Sequence, residues 1–232
     1  MTKNEFLKQL PELVHNYKPA FDVSSHIKNL DLLMIIGPSG VGKTAVINRL
    51  NLKYIASDTT RDPRPDEKEG VDYYFRQDYD KIVDEMKNGR FVQAVIDSGG
   101  DLKATRDSIY PDSGIAVMAV MANVVPNFRQ LGFRKTMSVF ITPPSFEEWM
   151  QRLDVHKLSA DQQELRLAEA ARSFEFALND KETHFIINDD IEEAVNQTKN
   201  VLEGVIDQAR EAEARSIAES LLGNVGYNKV LA

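Results

Sequence analysis

Apolar residues along this chain arrive in two rhythms, short unbroken runs and helical stripes, and the two alternate. Leu32 to Ile36 is an unbroken apolar run, short enough for a strand buried on both faces. Lys53 to Ser57 reads as a second short strand and Gly114 to Asn123 as a third, fully buried one. Thr136 to Ile141 and Phe185 to Asn188 supply the fourth and the last. Helical patterns fall between them. Ala45, Val46, Ile47 and Leu50 begin an amphipathic helix, and Asn127 to Gly132 is helix-compatible. Phe146 to Leu153 follows Ser145, a good N-cap that Glu148 completes as a capping box. Arg166 to Leu178 and Ile191 to Val205 are longer helical runs. Such alternation predicts an α/β fold with a mainly parallel sheet flanked by helices.

The two ends follow a looser pattern. In residues 1–30, Phe6, Leu7, Leu10 and Leu13 keep helical spacing while Pro11 and Pro19 interrupt it. A short helix and an irregular segment are expected there. In residues 206–232, Ala209, Ala212, Ile217, Ala218, Leu221 and Leu222 form a partly amphipathic helix, broken at Gly223. Both extensions are candidate surfaces for a homodimer.

The first apolar run leads into Gly37-Pro38-Ser39-Gly40-Val41-Gly42-Lys43-Thr44, which fits G-x-x-x-x-G-K-[ST] at every fixed position. Glycines let the backbone curl so that successive N–H groups face a phosphate chain. The following helix adds its positive end. Lys43 can reach the outer phosphates and the Thr44 hydroxyl can ligate Mg²⁺. With a strand before and a helix after, the motif points to a nucleoside triphosphate.

Composition narrows the partners. A formal charge of −8 over 232 residues argues against a general nucleic-acid or membrane-surface binder. There is no cysteine, so thiolate metal sites are excluded. His15, His26, His156 and His184 show no ligand-like spacing. No apolar run approaches the ~18 residues of a membrane span, and the N-terminus lacks a signal-peptide core. A cytoplasmic protein is expected.

A second loop carries chemistry. Ser57-Asp58-Thr59-Thr60-Arg61-Asp62-Pro63-Arg64-Pro65 sets two guanidinium forks three residues apart, with the Ser57 and Thr60 hydroxyls nearby. Two forks suit a phosphate dianion. Equally, Asp58, Asp62, Asp66 and Glu67 could pair with both arginines.

The phosphate loop, then S-x-T-T-R-x-P-R-P, then Gly70-Val71-Asp72-Tyr73-Tyr74-Phe75 resembles a guanylate kinase in order and spacing. The likeness continues through Asn88-Gly89-Arg90-Phe91-Val92, Val139 to Ser145 with Arg152-Leu153, and Phe185 to Ala194, covering roughly residues 32 to 203. It implies a P-loop three-layer α/β sandwich, with an acceptor-binding insert at about 57–106 and a short lid at 154–165. It implies transfer of the terminal phosphoryl group of ATP to a nucleoside monophosphate, GMP first. By the same resemblance Ser39, Gly40, Val41, Gly42, Lys43, Thr44 and Asn188 hold ATP. Ser57, Arg61, Arg64 and Tyr73 hold the acceptor phosphate, Gln93 and Thr105 touch the base, and Lys43, Arg61, Arg152 and Arg166 serve transfer.

The departures matter as much. Where the family carries a glutamate on the guanine edge, this chain has Gln93, which keeps a carbonyl acceptor but loses the charge. A tyrosine-glycine-serine/threonine trio is replaced by Lys103-Ala104-Thr105. An Asp-x-Asp in the third core strand is replaced by residues that include Ala119 and Met121. Asp97, Asp101 and Asp107 are candidate substitutes. In the lid, Val155-His156-Lys157 stands where an Arg-Gly is usual. A kinase with another acceptor and a non-catalytic interaction module therefore stay open beside the GMP reading. The intact phosphate loop favours an enzyme.

Overall fold

The computed structural model describes residues 1–64, 67–97, 99–154 and 160–228. Helix α1 (Lys3–His15) and α2 (Phe21–Ile27) precede β1 (Leu30–Ile36), and α3 (Lys43–Leu50) follows the phosphate loop. Next come β2 (Lys53–Tyr54), β3 (Ser57–Thr59), β4 (Tyr73–Phe75), α4 (Tyr79–Lys87), β5 (Phe91–Ile96), β6 (Leu102–Arg106) and β7 (Gly114–Ala119). The chain continues through α5 (Val125–Gln130), β8 (Lys135–Thr142), α6 (Phe146–Asp154), α7 (Ala160–Asn179), β9 (Thr183–Ile187), α8 (Ile191–Glu203) and α9 (Gln208–Asn228). One sheet has five strands in the order β2-β7-β1-β8-β9, with β8 and β9 parallel, and a separate sheet has the order β4-β3-β6-β5. The α/β expectation holds.

Two compact units are present, one of Met1–Asp31, Lys53–Ala116 and Phe128–Lys135, the other of Leu32–Leu52, Val117–Asn127 and Thr136–Ala232. In the first, α1 starts with a capping box: Glu5 N–H donates to Thr2 Oγ1 at 3.3 Å, and Thr2 N–H to the Glu5 carboxylate at 2.7 Å. Phe6 and Leu10, one turn apart, are fully buried against Ile82, Val83 and Met86 of α4 and against Phe91, Leu102 and Ala104 of the small sheet. Pro11 does not end this helix as its type predicts. An interior proline costs about 3 kcal/mol. Burying a Phe and a Leu, at about 1.5–3 kcal/mol each, offsets that.

Two other expectations change. Lys53 to Ser57 is not one strand: β2 ends at Tyr54, and Ser57 opens β3 in the other sheet. Nor does Gly223 break α9, because Leu221 and Val225 on either side of it are buried and hold the helix in place. Both terminal helices thus spend their apolar faces within their own unit.

The irregular stretch expected around Pro19 is a tie to the small sheet. Tyr17 Oη accepts from Phe91 N–H at 2.7 Å and donates to the Phe91 carbonyl. Ala20 N–H donates to the Gly89 carbonyl at 2.9 Å. Gly89 has φ +63°, and a Cβ there would lie 2.5 Å from Ala20 N, so only glycine permits the approach. Arg90 pairs with Asp22 at 2.7 Å.

His26 of α2 completes this seam, with Nδ1 2.6 Å from Asp107 and Nε2 2.9 Å from the Pro111 carbonyl. A carbonyl only accepts, so Nε2 donates, and the carboxylate favours a proton on Nδ1 as well. Burial lowers the imidazole pKa, but Asp107, Pro111 and Asp112 outweigh it and leave it raised. A raised His contributes stability below its unfolded value, lost as pH rises through the folded one. Replacing His26 with Asn is therefore expected to cost about 1–2 kcal/mol at mildly acidic pH and progressively less as pH rises through its raised pKa. Urea unfolding of both proteins across that range measures it, and a cost independent of pH would refute the assignment.

Candidate functional site

The phosphate loop is built and fastened inside the second unit. It leaves β1 at Ile36, and α3 begins at Lys43. Lys43 Nζ donates to the Gly37 and Pro38 carbonyls at 2.6 and 2.8 Å, which folds the ammonium back over its own loop. Burial pushes its pKa down to about 8, with the Arg166 charge adding to the effect and Glu169 opposing it. Anionic phosphates would favour the charged form that burial disfavours. Gly42 has φ +94°, and a Cβ there would stand 2.2 Å from Asn188 Nδ2. Glycine is required here by both backbone and space.

Asn188 holds this geometry. Its Nδ2 donates to the Val41 carbonyl at 2.7 Å, and its backbone carbonyl accepts from Arg152 at 2.9 Å. Arg166, paired with Glu169 at 2.8 Å, is close enough to bear on Lys43. Lys43, Gly42, Val41, Asn188, Arg152 and Arg166 are thereby brought together. Of the lid expectation, Val155, His156 and Lys157 lie outside the described residues.

Sequence reasoning missed Trp149. Its ring is fully buried, its Nε1 donates to the Ser39 carbonyl at 2.8 Å, and Leu153, one turn on, lies under Gly40. The signal was available, since this is the chain's one tryptophan and it sits on a capped helix.

The other candidate residues lie on the four-stranded sheet of the first unit. In the β3–β4 pair, Ser57 stands beside Tyr73 and Thr59 beside Phe75. In β3–β6, Asp58 pairs with Ala104 and Thr59 with Lys103; in β5–β6, Gln93 pairs with Thr105. Because side chains alternate along a strand, Ser57, Tyr73, Lys103, Thr105 and Gln93 share one face. Asp58, Tyr74, Ala104 and Arg106 share the other, on which Ala104 packs with Phe6 and Met86. Phe91 pairs with Arg106, so a bulge at Val92 separates it from Gln93. That extra residue lets Phe91 enter the core while Gln93 turns to the opposite face.

On the candidate face, Arg61 lies 4.9 Å from the Tyr73 ring centre and 5.5 Å from that of Phe75. Its fork grips Glu67 at 2.7 and 2.5 Å. Arg64 offers its backbone N–H to the same carboxylate at 2.9 Å, while its half-exposed guanidinium stays 3.9 Å away. Burial raises the Glu67 pKa, but these cations outweigh it and leave it lowered. Lys103 Nζ donates to Tyr73 Oη at 3.1 Å. Thr105 Oγ1 accepts from Tyr110 Oη at 3.1 Å.

On the opposite face, Asp58 meets Arg106 at 2.8 Å and Arg76 at 3.3 Å. Burial pushes Asp58 up to about 6 against the pull of both arginines. Asp97, Asp101 and Asp107 are engaged elsewhere: Asp97 accepts from Gly99 N–H, Asp101 accepts from Thr60 and pairs with Lys3, and Asp107 meets His26.

A guanylate kinase family model matches residues 29–205. The chain belongs to the guanylate kinase family. It is 34% identical to a guanylate kinase of Wolbachia sp. subsp. Brugia malayi over 181 residues, 74% of this chain and 91% of the relative. To a guanylate kinase of Wolbachia pipientis wMel it is 36% identical over 180 residues, 74% and 88% of the two chains. The crystal structure of guanylate kinase from Anaplasma phagocytophilum superposes with a TM-score of 0.54 at 25% identity, covering 84% of this chain and 95% of that one. As a guanylate kinase family member the chain is an ATP-using P-loop kinase.

Among the described residues no helix is long and apolar enough to cross a membrane. Replacing Asn188 with Ala removes the tie to Val41 and is expected to cost about 1–2 kcal/mol. ATP affinity should fall with it while affinity for a monophosphate holds. Calorimetric titration with each nucleotide checks this, and unchanged ATP binding would contradict the fastening role.

Proposed function

We propose that this chain phosphorylates GMP from ATP, with the triphosphate on the phosphate loop and the monophosphate on the polar face of the four-stranded sheet. The observation that carries the reading is the state of Arg61. Its guanidinium is flanked by two aromatic rings and already forks onto an oxyanion, Glu67. A planar fork of this kind grips a phosphate dianion in the same way. Ser57 and Tyr73 on the same face add hydroxyl contacts. Glu67 thus stands in for the acceptor phosphate and must give way to it.

Phosphoryl transfer rests mostly on positioning and charge neutralisation. Lys43 neutralises the outer phosphates of the donor, and the loop N–H groups orient them. Arg152 and Arg166 add positive charge near the transferred group. Arg61 and Arg64 hold the acceptor against dissociation.

The residues fit Mg²⁺. Thr44 is exposed at the start of α3 with its hydroxyl available, and among the described residues no cluster of three or more His or acidic side chains competes for a metal. That hydroxyl would hold the ion, with substrate phosphates and water completing its shell. There the ion would supply charge neutralisation for the phosphates.

Replacing Lys43 with Met is expected to abolish ADP release from ATP and GMP. Replacing Arg61 with Ala should lower kcat/KM for GMP by about 100-fold through the loss of two charge-assisted bonds, leaving the KM for ATP almost unchanged. Replacing Glu67 with Gln should lower the KM for GMP, because the fork is released from its internal competitor. Coupled-assay kinetics measure all three, and an Arg61→Ala enzyme as good as the wild type would refute the clamp.

A further inference from the structure

The sheet register does more than gather polar residues on one face. Tyr73 stands beside Ser57, the β3–β6 register carried one residue on brings Ser57 beside Thr105, and Thr105 stands beside Gln93. Tyr73, Ser57, Thr105 and Gln93 therefore form one row across all four strands, three inter-strand steps or about 14 Å long. Arg61 sits over the Tyr73 end. At the far end two uncharged groups remain. Thr105 is fully buried, and its oxygen already accepts from Tyr110, so its own proton is free to be donated. Gln93 is 8% exposed, and its amide bonds no other side chain or backbone group among the described residues.

We infer that this end of the row reads the C6=O/N1–H edge of a purine and leaves position 2 unread, so that hypoxanthine monophosphate (IMP) is an acceptor alongside GMP. The inference rests on the reading above, that the monophosphate lies on this face with its phosphate toward Arg61. A carboxylate only accepts, so in this place it would pair with two neighbouring donors, N1–H and the 2-amino group. An amide presents one donor and one acceptor side by side. That pair is the complement of C6=O and N1–H: Nε2 donates to the 6-oxygen while Oε1 accepts from N1–H. The Thr105 proton is a second donor for the same 6-oxygen. Guanine and hypoxanthine share this edge and differ only at position 2, where the row offers no acceptor. Adenine carries an amino group at position 6, which would turn its own donors toward the Thr105 proton.

The test is steady-state kinetics with ATP and GMP, IMP or AMP, for the wild type and for Gln93→Glu, with calorimetric binding of each monophosphate to the wild type. In the wild type, kcat/KM for GMP and IMP should agree within about threefold, with AMP at least about tenfold lower. Gln93→Glu restores an acceptor for the 2-amino group and should move the GMP-to-IMP ratio at least about tenfold toward GMP. The wild-type comparison stands even if the variant folds poorly, which thermal melting reports. Turnover of GMP with IMP rejected more than about tenfold would overturn this inference alone and leave the kinase reading intact. AMP matching or exceeding IMP would overturn the assignment of the 6-oxo edge. Neither GMP nor IMP bound or phosphorylated would overturn both.

Discussion

The register of one small antiparallel pair, β5 against β6, is the constraint on which the proposed acceptor side depends. Side chains on a strand alternate, so a slip of one residue would exchange the whole polar face for the apolar one. The bulge at Val92 is where that exchange is managed. Upstream of it Phe91 belongs to the core with Phe6 and Leu10; downstream Gln93 belongs to the polar row. The segment between the N-terminal helices bears on the same strand through Tyr17, whose hydroxyl bonds both the N–H and the carbonyl of Phe91. A segment that reads as an outlying extension is therefore part of what fixes the register.

The phosphate loop obeys a different constraint. Its curvature is intrinsic to glycine, but its position is imposed by groups distant in sequence, the Asn188 amide on Val41 and the Trp149 indole on Ser39. Lys43 is a cation placed where burial works against its charge. That disfavoured charge is a reservoir of binding energy which an anionic ligand can draw on. On the acceptor side Arg61 has met the same problem with an internal carboxylate, Glu67. Lys43 is turned on its own loop carbonyls, and Arg61 is paired with a carboxylate.

How much of this could be read in the chain follows the range of the interaction. The phosphate loop was legible because every fixed residue of the motif is local. Helices such as that after Ser145 were legible because caps are local as well. The two arginines three apart were visible, but their division of labour was not. Arg61 holds Glu67 in a closed fork and Arg64 contributes mainly its backbone, a difference set by the rings of Tyr73 and Phe75 that flank only Arg61. Pro11 and Gly223 misled because local propensity was overridden by burial, of Phe6 and Leu10 before the proline and of Leu221 and Val225 on either side of the glycine. The split of residues 53–57 between two sheets, the bulge at Val92 and the four-residue row are products of long-range pairing, and no periodicity in the sequence encodes them.

The most direct measurement is a crystal structure of the protein with GMP bound. Phosphate oxygens within hydrogen-bond reach of Arg61, Ser57 and Tyr73, with Glu67 displaced from the Arg61 fork and the purine edge against Gln93 and Thr105, is the expected result. GMP bound elsewhere, or on this face with Arg61 still closed on Glu67, would contradict the placement of the acceptor.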